Sequence, residues 1–237
     1  MTSLQLKYLA LVGLAAVALL YQNFTFSAAW EGPPTPKIQE KSRKAHAKEL
    51  LGVAYKGSWA QQAESLSSLN LAIQAELESQ LPAIYKSQSK KVAAAIISEA
   101  SFYKMDPVFV LAMIKTESRF NPEVIGRHGE IGLMQIKPRT AAWIAKKTGI
   151  PWYGKQTLHN MVDNVRLGLA YMNYLRTSFT KRPSRYVNAY NMGSHNVRRL
   201  LASESTPRIY SDRILTNYIH IYSRLIRNQS NVMISMN

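Results

Sequence analysis

A glutamate set among apolar residues limits how this chain can fold. The segment "DPVFVLAMIKTESRF" opens with Asp106 at a helix N-cap position and Pro107 at the first helical position. With Glu117 at zero and a step of about 100° per residue, Val110, Met113, Ile114 and Phe120 fall within roughly 60° of it. Lys115, Arg119 and Val108 fall opposite. Glu117 therefore sits on the core-facing arc, where a carboxylate needs a partner or a task. Asn121-Pro122 is expected to stop the helix and leave Glu117 in its last turn. The negative end of the helix dipole and the apolar neighbours both disfavour the ionised form. A carboxyl with a raised pKa suits general-acid cleavage of a glycosidic bond. The alternative is a glutamate paired with an arginine or rotated outward.

Helical signals continue from Lys90 onward. "KKVAAAIISEASFYK" is followed by the Pro107 helix and by "PRTAAWIAKKTG", with Gly149 as its stop. Then come "HNMVDNVRLGLAYMNYLRTSF", "PSRYVNAYNMG", "HNVRRLLAS" and "IYSDRILTNYIHIYSRLIRNQ". No strand pattern and no repeat is evident. The expected fold is all-α, with irregular loops at about 121–132 and 150–158.

Upstream, the apolar run from Tyr8 to Tyr21 follows a single Lys7 and precedes the small-residue pattern Ser27-Ala28-Ala29. This reads as an export signal, and an uncleaved membrane anchor is the alternative. The expected organisation is signal peptide or anchor 1–29, linker 30–44, helical extension 45–88, catalytic domain 89–228 and a frayed tail 229–237. The extension carries no recognisable chemistry and is expected to pack on the main domain.

The chain has 30 Lys and Arg against 14 Asp and Glu, a formal charge of +16. That excess calls for an anionic partner: nucleic acid, an anionic membrane or an acidic wall polymer. Export counts against nucleic acid. Cysteine is absent and the five histidines are scattered, so neither thiolate chemistry nor a metal site is expected.

Four blocks in order carry a resemblance: "TESRFNP", "GEIGLMQIKPRTA", "NAYNMG" and "NYIHIY". Together they resemble the soluble lytic transglycosylase (SLT) family over about Val92 to Arg227. That family has a lysozyme-like α-helical fold, related to goose-type lysozymes, and cleaves bacterial peptidoglycan. The resemblance implies that Glu117 is the catalytic acid/base and that Ser118 helps bind the sugar's acyl group. It implies that Met134 and Gln135 of the "GLMQ" block line the saccharide groove, with Leu133 in the core. It implies that Tyr190 and Asn191 hold Glu117 and the N-acetyl group, and that Tyr218 stands near the glutamate. Core packing is the competing reading for Met134 and Tyr218, and helix-end chemistry for Asn191. No cofactor is implied.

Glu130 departs from the small residue common at its position. It is either a second carboxylate that activates water, which would make a hydrolase, or a loop glutamate paired with Arg127 or His128. Asp163 and Glu123 are weaker candidates. Trp143, Trp152, Tyr153, Tyr171 and Tyr174 could offer sugar-stacking surfaces. The implied activity is non-hydrolytic cleavage of MurNAc-β-1,4-GlcNAc bonds to 1,6-anhydro ends, on glycan strands in the envelope or periplasm. A water-using muramidase and an idle wall-binding or scaffold module are the alternatives.

Overall fold

In the computed structural model the side chain of Asp106 accepts a hydrogen bond from the Val108 amide at 2.8 Å and Pro107 opens the helix Pro107–Glu117. The structure describes residues 36–65, 68–202 and 208–235, and these described residues belong to one compact unit. The 1–29 segment and residues 30–35 of the expected linker lie outside the described residues.

Among the described residues nine longer helices follow in order: α1 Glu40–Leu51, α2 Leu69–Gln80, α3 Ser89–Phe102, α4 Pro107–Glu117, α5 Pro138–Thr148, α6 Met161–Ser178, α7 Pro183–Met192, α8 Ser194–Ala202 and α9 Ile209–Ser235. Short 3-10 turns and a single helical turn at Trp59–Gln62 connect them. Among the described residues there is no strand, only isolated bridges joining Ile125, Ile131 and Ile136 in the 121–136 loop. No helix among them is long and apolar enough to cross a membrane.

Local chemistry sets several boundaries. Asn160 caps α6 by accepting from the amides of Val162 and Asp163. Gly149 ends α5 in the left-handed region, at φ 76°. α4 is apolar on all sides and is the central element: every residue from Pro107 to Ile114 is buried, including Val108, which helical phase alone puts on the solvent side. α3 packs against α4, α2 and α6, while α9 lies along α4 and also touches α7 and α2.

The linker and extension need correction. The linker reading fails from Glu40, because residues 40–44 are already the first turns of α1. α1 sends three polar side chains into the core at positions 43, 46 and 49. Arg43 is fully buried; its Nη1 donates to the Tyr222 hydroxyl (2.9 Å) and the Ala60 carbonyl (3.2 Å). His46 Nδ1 accepts from the Asp106 amide at 3.0 Å, and its Nε2 lies 3.3 Å from the Tyr186 hydroxyl. Accepting at Nδ1 requires the neutral ring, and burial with the nearby Arg176 charge lowers the His46 pKa well below its ordinary value. Glu49 pairs with Arg176 of α6. The 45–88 stretch thus packs on the remainder, and its polar side chains help hold the N-terminus of α4. At the other end the backbone stays helical to Ser235, so the expected fraying after Asn228 is not found there.

Candidate active site

α4 ends at Glu117, four residues before Asn121-Pro122, so that dipeptide is not what stops it. The chain reverses instead through Arg119 and Phe120, both in the left-handed region at φ 53° and 64°. Such a conformation costs a non-glycine residue of order 1 kcal/mol or more and persists only where surroundings enforce it. Two contacts enforce it here. Phe120 is buried at 1% exposure, and the Ser118 hydroxyl donates to the Leu133 carbonyl at 2.8 Å. The turn leaves Glu117 half-buried at the lip of a groove.

Burial is the main influence on the Glu117 carboxyl, and the charge of Glu130 adds to it. A hydrogen bond from Tyr210 and the charge of Arg213 oppose them. The net result is a pKa raised to about 7. The Tyr210 hydroxyl donates directly to Glu117 Oε1. Near neutral pH this carboxyl is divided between proton donor and proton acceptor, as acid/base catalysis requires.

The loop at 131–136 forms the next wall. It hangs on Asn164, a fully buried amide from α6. Asn164 Oδ1 accepts from the Met134 amide at 2.8 Å, and its Nδ2 donates to the carbonyls of Ile131 (2.8 Å) and Leu158 (2.9 Å). Gly132 is required beside it: its φ is 79°, and a Cβ there would lie 2.3 Å from Asn164 Nδ2. Gln135, also left-handed at φ 46°, faces the groove and donates from Nε2 to the carbonyls of Val124 and Gly132.

Glu130 lines the same groove as Glu117. Its carboxylate accepts from the His128 amide (3.0 Å) and pairs with Lys137 (3.3 Å). It is thus held by the backbone of residue 128 and by Lys137, not by the side chains of Arg127 or His128. Burial would raise its pKa, but backbone hydrogen bonds and Lys137 outweigh burial and lower it. Two carboxyls in one groove are driven in opposite directions.

The third wall comes from the end of α7. Tyr190, Asn191 and Gly193 line the groove, whose volume is about 380 Å³. The Tyr190 hydroxyl donates to the Met134 carbonyl at 2.9 Å, bracing the loop. An aromatic recess of about 260 Å³ shares Thr140 and Tyr171 with the groove, and Trp143 and Tyr174 line it. The rings of Trp143 and Tyr174 meet edge to face at 4.7 Å. Trp143 keeps 43% exposure and is available for stacking. Trp152 packs against a secondary core cluster, and Tyr153 lies away from both cavities.

Glu117, Glu130, Gln135, Tyr190 and Asn191 all line one groove. Three residues do not join them. Met134 is fully buried and contributes only its backbone. Ser118 turns its hydroxyl to main-chain carbonyls, away from the groove. Tyr218 is fully buried and donates to Asp106 Oδ2 at 2.6 Å, at the opposite end of α4. The Tyr190 hydroxyl is spent on the Met134 carbonyl, so the hydrogen bond to Glu117 comes instead from Tyr210, which the sequence reading did not single out. α9 runs antiparallel to α4, so the tyrosine two turns before Tyr218 meets the end of α4 while Tyr218 meets its start.

A sequence profile of the family described as "Transglycosylase SLT domain" matches residues 94–212, half of the chain. The membrane-bound lytic murein transglycosylase C of Photorhabdus laumondii is 31% identical over 121 residues, 46% of this chain and 33% of that protein. Its counterpart in Histophilus somni is 28% identical over 144 residues, 54% of this chain and 39% of that one. The chain thus spans about a third of the length of these relatives. An inactive mutant of the lytic transglycosylase Slt of Pseudomonas aeruginosa superposes with a TM-score of 0.52 at 22% identity, over 83% of this chain and 39% of that one. The 70 kDa soluble lytic transglycosylase of Escherichia coli gives 0.50 at 22%, over 84% and 37%. These two likenesses establish the all-α, lysozyme-like fold. The profile match, in turn, shows that the chain belongs to the transglycosylase SLT domain family.

Proposed function

We propose that this protein is a lytic transglycosylase that cleaves the glycan strands of peptidoglycan at Glu117. The observation that carries the reading is one half-buried carboxyl with its pKa near 7, held by Tyr210 at the edge of a groove of about 380 Å³. Protonated Glu117 gives its proton to the glycosidic oxygen as the C1–O bond of the muramoyl sugar breaks. The sugar's own acetamido oxygen supports the positive charge at C1. The resulting carboxylate then takes the proton of the C6 hydroxyl, whose oxygen bonds to C1. The product ends in a 1,6-anhydro ring, Glu117 is again protonated, and no water is consumed.

Asn191 is the side chain in the groove suited to hold the acetamido group. Gln135 orders the opposite wall, and Trp143 and Tyr171 offer stacking surfaces to neighbouring sugars. The relatives named above as membrane-bound murein transglycosylases fit an envelope location reached through residues 1–29, with the basic surface favouring an acidic wall polymer.

One observation favours a second reading. Glu130 is an ionised carboxylate in the same groove, and a general base of that kind could activate water and make a hydrolase. Its engagement with the His128 amide and Lys137 supports a role in ordering the loop instead. Glu117→Gln tests the assignment of the acid. The purified variant should keep its circular dichroism and lose sacculus cleavage by at least 10²–10⁴-fold. Clearance near the wild-type rate would remove Glu117 from the mechanism.

A further inference from the structure

A second pocket, of about 550 Å³, lies around the C-terminal turn of α4 and is not used by the chemistry above. Its lining includes Lys115, Thr116, Arg119 and Phe120, from the two sides of Glu117 in sequence, and Arg213 and Asn217 of α9. Arg213 stands one turn beyond Tyr210, and its charge bears on Glu117. The pocket therefore adjoins the acid without sharing the groove.

Its electrostatics differ from those of the groove. The groove holds two carboxyls and Lys137. The second pocket holds three cations and no acid. Among the described residues none of Lys115, Arg119 and Arg213 makes an ion pair, whereas their neighbours Arg224 and Glu76 neutralise each other. Burial and the charge of Arg224 depress the pKa of Lys115, with Glu76 opposing. The Asn217 amide donates to the Thr116 hydroxyl at 2.9 Å, fixing two polar groups in the same wall. Gln80, Arg213 and Asn217 lie outside residues 94–212, so the family match does not encompass this pocket.

We propose that this pocket receives carboxylates of the peptide stem attached to the glycan, so that the protein reads the stem as well as the sugar. The inference rests on the wall-glycan reading above. A strand placed with its scissile bond at Glu117 carries its stem on the muramoyl sugar beside that bond. Two guanidinium groups and an ammonium in one recess match a chain bearing several carboxylates, and guanidinium pairs with carboxylate in a bidentate fashion.

The test is equilibrium binding of the stem tetrapeptide, released from sacculi by amidase, measured by calorimetry at low ionic strength. No glycosidic bond is present, so the result is independent of turnover. The wild type should bind the peptide, and the same peptide with its carboxylates amidated should not bind. Lys115→Gln with Arg119→Gln should weaken binding about tenfold or more. The charge-matched control Lys90→Gln with Lys91→Gln, at exposed positions on α3, should change it less than about twofold. If the double variant does not fold, Arg119→Gln alone, at an exposed side chain, should cost about threefold or more.

Equal losses in pocket and control variants would reduce the effect to bulk charge and overturn the proposal. So would undiminished binding by the pocket variants, or displacement by equimolar inorganic phosphate. A chain that binds the peptide but fails to cut sacculi would refute the enzymatic reading alone. One that cuts but ignores the peptide would refute the pocket alone.

Discussion

Asn164→Ala should be among the most damaging single substitutions outside the groove. The side chain is fully buried and makes three hydrogen bonds of 2.8–2.9 Å, one to the Met134 amide and one each to the carbonyls of Ile131 and Leu158. Each is worth about 1 kcal/mol net, and a buried backbone group left unpaired costs about 1–3 kcal/mol. Water entering the vacated space can restore part of this. The expected loss is about 3–4 kcal/mol, or roughly 10 °C in Tm for a domain of this size. Chemical denaturation of wild type and variant measures it. Asn164→Asp sharpens the test. Its carboxylate would place an oxygen against two carbonyls, so it should destabilise at least as much as alanine despite its similar shape. A loss below about 1 kcal/mol for Ala, or a near-wild-type Asp variant, would show that the loop does not hang on this amide.

Two predictions concern titration. Sacculus cleavage should fall on the alkaline side with an apparent pKa of about 7 as Glu117 loses its proton. In Tyr210→Phe that limb should move to higher pH, because the lost hydrogen bond had favoured the carboxylate; an unmoved or lowered limb in the pH–rate profile would contradict the contact. His46 has a folded-state pKa depressed below its unfolded value of about 6.5. The unfolded chain binds the proton first, so this contribution to stability is present above about pH 6.5 and is lost as pH falls. Asp106, raised by burial against the opposing Arg43 and its hydrogen bonds, acts in the other direction. The readout is therefore the difference in Tm slope between wild type and His46→Gln below pH 6.5, where the variant should be the flatter, by up to about 1.4 kcal/mol per pH unit.

Features fixed by local chemistry were legible in the sequence. Asp106-Pro107 starts α4, Pro183 and Gly193 bound α7, and Gly149 ends α5. The odd placement of Glu117 also survived, because a carboxyl in an apolar helix is anomalous whatever packs around it. What failed depended on partners distant in sequence. Tyr210 and Tyr218 share one stripe of α9, and only its antiparallel course along α4 decides which reaches Glu117. Ser118 could serve a ligand or the loop at Leu133, and the turn at Arg119 and Phe120 decides for the loop. The 40–44 stretch read as a linker because it continues a segment rich in proline and charge, yet α1 starts there and carries Arg43 and, one turn on, His46. Both are core residues there, paired to Tyr222, Asp106 and Tyr186.

In the proposed mechanism one carboxyl, Glu117, opens the glycosidic bond and the sugar's own C6 oxygen closes it. Mass spectrometry of sacculi digested by the full chain reads this directly. The expected products are fragments ending in 1,6-anhydro-muramoyl sugars, without incorporation of oxygen from labelled water, and no such fragments from Glu117→Gln. Reducing ends carrying the water-derived label would contradict that mechanism and transfer the second step to a water activated by Glu130.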